Sequence, residues 1–305
     1  MVKRQLPPFR DRFVIEDPDL IYLDGNSLGA LPIAAKDTAA DVMERQWGQD
    51  LIRSWNSNHW IDLPVTVGEK IAPLLGAGPG QTICCDSISI NLFKLLAAAL
   101  KLRPGRQAVL SQNDNFPADL YIAQGLRDLC GEQSCDLRLV EEDDVEAALD
   151  ETIAVLLLTH VNYRSGKMHD MQALTNLAHE KGILVIWDLA HSAGAVPLQL
   201  DDWDVDFAVG CGYKYLNGGP GAPAFIYAAE RHQNSIRQPL SGWMGHRTPF
   251  SFEQDYRAAP GMSQFLSGTP PILSMAVLDA SLDVFEGIDT VSYTHLTLPT
   301  IILPC

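Results

Sequence analysis

The most constraining feature of this chain is a series of short apolar runs at regular intervals: Ile153–Leu158, Ile183–Trp187, Asp206–Gly210 and Ala224–Tyr227. An unbroken apolar run of this length, without polar alternation, is the pattern of a strand covered on both faces. Between the first two, Met171, Leu174, Leu177 and Ala178 recur at helical spacing and stop at Lys181-Gly182. Strand, helix, strand in that order predicts an α/β domain built on a mostly parallel sheet flanked by helices. Upstream, the same reading gives a helix over Leu92–Leu102, halted by Pro104-Gly105, a strand from Ala108 to Leu110 and a helix over Ala118–Leu129. A strand at Asp136–Val140 and an acidic-headed helix at Glu142–Leu149 follow, and Cys84 and Cys85 point to opposite faces of a further strand. Ligands of such a sheet gather beyond the carboxyl ends of its strands.

The flanks are organised differently. Residues 1–60 form an N-terminal segment with one helix around Pro32–Trp47, residues 61–237 the large α/β domain, and 238–290 the start of a smaller layer with an apolar helix at Ile272–Phe285. Residues 291–305 contain no Asp, Glu, Lys or Arg, end on LTLPTIILPC, and read as a tail not continuous with the natural fold. With 47% hydrophobic residues the chain has ample material for a core. Its net charge of −16 repels nucleic acid and anionic membranes. No apolar run approaches the roughly 20 residues of a membrane span, the amino end MVKRQLPPFRDRF lacks a signal-peptide pattern, and the six cysteines show no CxxC pair. These features predict a soluble cytoplasmic protein, and the eight histidines, without HExxH, predict no metal.

Chemistry-bearing residues stand just past the predicted strands. Asp188 closes the run Ile183–Trp187, His191 follows it, and Tyr213-Lys214 follow Asp206–Gly210. A carboxylate at a buried strand end is costly without a cationic or donor partner. A protonated pyridine nitrogen is such a partner, and the carboxylate keeps that ring an electron acceptor. Lys214 sits among Gly210, Gly212, Gly218 and Gly219, read as letting a ligand approach closely, where an amine can form a Schiff base and then act as a base. Either residue alone reads more simply as a surface lysine or a helix-capping aspartate; both together, on successive strands, favour a cofactor. Asp86-Ser-Ile-Ser-Ile-Asn91 runs into the Leu92 helix and offers a phosphate N–H groups, hydroxyls and the helix dipole, or serves equally as an ordinary cap. In Asn115-Phe-Pro-Ala-Asp119, Phe116 is placed to stack on a ring and Asp119 to add a polar contact.

Taken together, these segments resemble the kynureninases, pyridoxal-phosphate enzymes of fold-type I akin to class-V aminotransferases. The resemblance spans roughly residues 20–290 and rests on Tyr22-Leu-Asp-Gly-Asn-Ser-Leu-Gly29, Asp86-Ser-Ile-Ser-Ile-Asn-Leu92, Phe116-Pro-Ala-Asp119, Trp187-Asp-Leu-Ala-His-Ser-Ala-Gly194, Asp204-Val-Asp-Phe207 and Tyr213-Lys-Tyr-Leu-Asn-Gly-Gly-Pro-Gly221. It implies that Lys214 carries pyridoxal 5'-phosphate, that Asp188 pairs with the ring nitrogen, and that His191 lies nearby. It further implies that Phe116 stacks on the ring, that Ile88, Ser89 and Tyr213 hold the phosphate, and that Asp119, Ser165, Trp243 and Thr269 complete the cofactor site, with a neighbouring subunit of a homodimer contributing. The implied reaction is hydrolysis of L-kynurenine, or its 3-hydroxy form, to anthranilate (or 3-hydroxyanthranilate) and L-alanine in tryptophan degradation, with Lys214 moving the Cα proton and Tyr213 relaying protons. Members of the family run past the length of this chain and draw from that region an arginine for the substrate α-carboxylate. None of Arg231, Arg237, Arg247 and Arg257 stands in that motif, so the expectation is retained cofactor binding with impaired substrate binding.

Three rivals are set against this. A dinucleotide fold fails because Gly76-Ala-Gly78-Pro-Gly80 lacks a third glycine at the required offset and Gly210-Cys-Gly212 meets Tyr215 there. A cysteine desulfurase or selenocysteine lyase would place His before the lysine and a nucleophilic Cys on a late loop, whereas Tyr213 precedes Lys214 and Cys211 sits at a strand exit. A pyridoxal-phosphate-binding fragment without turnover is the third. The aromatic stretch Trp55–Trp60 is read as core, the alternative being that it reaches the substrate's ring in a dimer.

Overall fold

The computed structural model describes residues 9–288. Seven strands, β1 (Thr82–Cys84), β2 (Ala108–Gln112), β3 (Asp136–Val140), β4 (Ile153–Thr159), β5 (Leu184–Asp188), β6 (Phe207–Cys211) and β7 (Ala224–Ala228), form one sheet in the order β1-β7-β6-β5-β4-β2-β3. All run parallel except β7, which lies antiparallel between β1 and β6. The α-helices are α1 (Ile33–Asp41), α2 (Ser54–Ser57), α3 (Leu63–Ile71), α4 (Ile88–Leu102), α5 (Pro117–Cys130), α6 (Met171–Glu180), α7 (Glu230–Gln233) and α8 (Ile272–Leu282).

The apolar runs form the centre of the sheet because both faces are covered. Every residue of β4 is buried. Leu156 and Leu158 join the core beneath α6, with Met171, Leu174 and Ala178, while Val155 and Leu157 join the core beneath α4, with Leu92, Leu95 and Leu96. Cys84 and Cys85 fall into opposite cores, as successive residues of an extended chain must. Strand β3, whose sequence alternates, is the half-exposed edge. Helix α8 returns to pack on α1 and α3. Among the described residues no helix is long and apolar enough to cross a membrane.

Three expectations are corrected. Glu142–Leu149 is not a helix: only Glu142–Asp144 form a 3-10 turn, and turns lead on to β4. Val145 and Leu149 mimic helical spacing because both are buried in the core, but the chain carries them there in turns as it passes β2 on the way from β3 to β4. Helix α4 starts at Ile88, a turn before Leu92, because Ser87 caps it by accepting from the Ile90 N–H. Trp55 and Trp60 are half-buried rather than core, edge to face at 6.1 Å, with Trp60 Nε1 donating to Gln46 Oε1. The tail reading of residues 291–305 lies outside the described residues.

At the amino ends of β5 and β6, opposite the predicted chemistry, Asp206 ties the sheet together. It is 2% exposed and accepts from His179 Nε2 (2.9 Å), His232 Nε2 (2.6 Å), Arg231 Nη2 (2.8 Å) and the Val185 N–H (2.8 Å). Burial alone would raise its pKa, but the hydrogen bonds from His179 and His232 hold it far below the usual carboxylate range. The same hydrogen bond raises His179 above its ordinary value of 6.5. The Asp206 contribution is therefore present above the ordinary carboxylate pKa and lost on acidification. The His179 contribution is full below 6.5 and lost as pH rises through its elevated value. Asp206→Asn should lower unfolding free energy by about 3–5 kcal/mol, because it leaves cationic donors without their buried partner. Urea melts across pH 4–9 check this: the wild-type decline as pH rises through the elevated His179 pKa should flatten in the variant, and unchanged melts would refute the account.

Candidate active site

The sheet order brings the predicted residues to one edge. Ser87 follows β1, Phe116 follows β2, Thr159 ends β4, Asp188 ends β5, and Tyr213-Lys214 follow β6. Because β7 is antiparallel, its first residue, Ala224, returns to the same edge. These residues line a cavity of about 160 Å³ together with Ile88, Ser89, Ala118, Asp119, Ala190, His191, Cys211 and Ala222. A larger groove, about 450 Å³, lies between the N-terminal segment and the end of α8; it is mostly apolar, and we place the chemistry in the smaller cavity.

Two carboxyls and one amine dominate the cavity. Asp188 is 2% exposed, and its Oδ1 accepts from the Ala190 N–H at 2.8 Å. Asp119, fully buried, receives only long hydrogen bonds at Oδ2, from Asn115 Nδ2 and Thr159 Oγ1, both 3.4 Å. Burial pushes Asp188 up to about 6, against the Ala190 N–H and the Lys214 charge, which pull it down. Burial, and then the neighbouring Asp188, push Asp119 well above the usual range. Two buried carboxyls side by side cannot both ionise cheaply, so near neutral pH the pair keeps one proton, held mainly on Asp119.

Lys214 Nζ lies 2.8 Å from His191 Nε2, with the rings of Tyr213 and Phe116 at 5.7 and 5.9 Å. Burial and then the adjacent Lys214 charge lower the His191 pKa, leaving a neutral imidazole that accepts from the amine. Tyr213 is pushed up to about 12 by burial and by Cys211, so the phenol keeps its proton. Cys211 is raised to about 11 by burial and stays a thiol, which is unsuited to nucleophilic attack.

Of the eleven residues named from the sequence, Ile88, Ser89, Phe116, Asp119, Asp188, His191, Tyr213 and Lys214 meet in the cavity. Ser165, Trp243 and Thr269 do not. Ser165 is exposed on the 162–167 turn, where its hydroxyl accepts from the Lys167 N–H; Trp243 is 38% exposed against Phe250; Thr269 is exposed. Three of the four glycines around Lys214 have a different purpose from the one expected. A Cβ on Gly210 would strike the Phe225 ring, one on Gly212 the Pro223 carbonyl, and one on Gly218 the Leu278 side chain and the Gly212 carbonyl. They let β7, α8 and the lysine loop close on one another rather than admit a ligand. Gly29 does the same from the N-terminal motif: its N–H donates to the Tyr213 carbonyl at 2.9 Å, and a Cβ there would collide with the Lys214 carbonyl. Thr159 was missed; its place directly after an apolar run was the available sign.

Residues 59–296 match the aminotransferase class-V family. A kynureninase of Burkholderia pseudomallei (strain 1106a) is 50% identical over 289 residues, covering 93% of this chain and 69% of that protein. The chain belongs to the kynureninase family. A kynureninase of Pseudomonas fluorescens is 48% identical over 298 residues, covering 96% of this chain and 71% of that protein. Among solved structures, the cystine C–S lyase C-DES, in complex with cysteine persulfide, superposes with a TM-score of 0.74 at 18% identity, covering 88% of this chain and 72% of that one. A cysteine desulfurase from Thermococcus onnurineus NA1 gives 0.69 at 18% identity, covering 88% and 67%. At that identity the likeness extends to the fold alone. The cysteine-desulfurase alternative is not favoured, since relatives at about half identity are kynureninases and Cys211 is a buried thiol.

Proposed function

We propose that this chain binds pyridoxal 5'-phosphate in the strand-end cavity and hydrolyses L-kynurenine, or its 3-hydroxy form, to anthranilate (or 3-hydroxyanthranilate) and L-alanine. The observation that carries this is one cavity holding the Lys214 amine and a buried, donor-poor carboxyl pair, in a chain half identical to kynureninases.

The residues present fit the cofactor. The buried Asp188–Asp119 pair is short of donors, with Asp119 Oδ1 finding none, and Asp188 would hold a protonated ring nitrogen there. Because α4 starts at Ile88, the first-turn N–H groups of Ile88 and Ser89 have no intrahelical acceptor, and Ser87, Ile88 and Ser89 all line the cavity, a setting suited to a phosphate. Phe116, 37% exposed and edge-on to Tyr163 at 5.2 Å, offers an aromatic wall. When bound, the cofactor supplies an electron sink for charge developing at the substrate Cα. Asp188 keeps its charge beside the ring nitrogen, and the proton retained on Asp119 spares the pair a second negative charge. Neutral His191 orients the Lys214 amine, which takes up and returns the Cα proton. Tyr213 holds a phenolic proton to deliver as the Cβ–Cγ bond breaks after water adds to the aryl ketone carbon.

Trp243, exposed and edge to face with the exposed Phe250, and the exposed Thr269 are read as serving the cavity of a second copy in a homodimer, and Ser165, two residues after Tyr163, as standing at the cavity rim. The five described cysteines are all free, which suits a reducing cytoplasm. The test is fluorescence of released anthranilate when the pyridoxal-phosphate-loaded protein meets kynurenine, beside sulfide release from cysteine. Anthranilate without sulfide is expected. Sulfide alone, or cofactor binding with no anthranilate, would refute the proposal.

A further inference from the structure

Lys94 lies in the middle of α4, among leucines and alanines packed on the sheet, yet it is a fully buried lysine. A charge removed from water there is tolerated only when paired and hydrogen-bonded. Its Nζ donates to Asp86 Oδ2 and to the Phe265 carbonyl, both at 2.5 Å. Helical side chains lean toward the amino end, and this one reaches back past the first turn of its own helix to the loop before it.

That loop shapes the cradle. Asp86 joins β1 to the cap residue Ser87 and has φ +48°, in the left-handed region that side-chain-bearing residues seldom occupy. Its carbonyl accepts from the Ala224 N–H at 2.9 Å, which fixes one side of the turn to β7. Its carboxylate is fixed on the other side by Lys94. The turn so clamped delivers Ser87, Ile88 and Ser89 to the cavity wall, while Lys94 itself does not reach that wall. The second acceptor, Phe265, closes the 3-10 turn Gly261–Phe265, a few residues before Thr269.

We propose that Lys94 is a positioning residue: its buried ammonium holds Asp86 in the strained turn and thereby keeps the Ser87–Ser89 segment in the shape that grips a phosphate group. The proposal rests on reading the cavity as the pyridoxal-phosphate site and adds a residue that touches neither cofactor nor substrate.

The test compares pyridoxal 5'-phosphate with pyridoxal, which lacks the phosphate, and with inorganic phosphate, each titrated into the apoprotein. Lys94→Met keeps the stem and removes the charge; Asp86→Asn keeps the loop side chain, leaves Lys94 in place, and serves if the first variant does not fold. In both, the dissociation constant for pyridoxal 5'-phosphate should rise at least about tenfold and inorganic phosphate should weaken in parallel, whereas pyridoxal should change by no more than about twofold. The double variant should be no worse than the weaker single one, as expected for two ends of one contact. Equal losses for the phosphorylated and unphosphorylated ligands would mean that Lys94 only supports the fold, and no loss would mean that it does not set the cradle; either overturns the proposal. If the wild-type protein itself does not distinguish the two ligands, the cradle reading fails first and this proposal with it.

Discussion

Lys214→Ala should leave a folded protein with turnover reduced by at least about three orders of magnitude. The amine stands 2.8 Å from a neutral imidazole, and among the described residues no carboxylate lies within ion-pair distance of it. Its loss removes a nucleophile and a base together, while the core beneath it, formed by β5, β6 and α8, does not depend on it. Borohydride reduction of the cofactor-loaded wild type, followed by peptide mapping, should place the pyridoxyl group on Lys214, and the variant should show none. An unchanged circular dichroism spectrum separates this chemical loss from unfolding. A pyridoxyl adduct on another lysine, or turnover within tenfold of wild type, would refute the assignment.

Legibility followed burial. Strands β4 and β5 and helix α6 could be read because an unbroken apolar run and a 3.6-residue apolar stripe each have one physical explanation. The first turn of α4 was not legible as helix. Ser87 and Ser89 face a cavity rather than a core, so the site's polarity hides the helical pattern there. The same logic hid Lys94 and Asp206, which are polar residues inside apolar surroundings whose partners are supplied by distant segments. Asp188 and Lys214 could be paired from the sequence because each follows a strand of a parallel sheet. Their coupling to Asp119 could not, since it depends on the order β5-β4-β2, which puts the start of α5 beside the end of β5. Gly210, Gly212 and Gly218 show the opposite error: the motif was recognised, but their purpose is backbone packing against β7 and α8.

Asp188→Asn should separate the cost of this site from its use. Burial pushes Asp188 up to about 6, so in the apoprotein the ionised form is disfavoured by the fold. For an acid whose folded pKa lies above its unfolded value, stability is higher at low pH and declines as pH rises between the two values, reaching its lower level above the folded one. At pH 8 the wild-type apoprotein therefore carries the whole penalty of a buried carboxylate. The variant keeps an oxygen acceptor for the Ala190 N–H and has no charge to bury. Apo Asp188→Asn should melt above apo wild type at pH 8, by on the order of 2–5 °C, with the gap closing toward pH 4. Function should move the other way. A neutral amide cannot stabilise a protonated ring nitrogen, so turnover should fall by about two to three orders of magnitude, and the pyridoxal 5'-phosphate dissociation constant should rise. Thermal melts of both apoproteins across pH, beside kynurenine turnover of both loaded proteins, give the two readings. A variant that is both less stable at pH 8 and fully active would show that the carboxylate is held there for the fold and not for the cofactor.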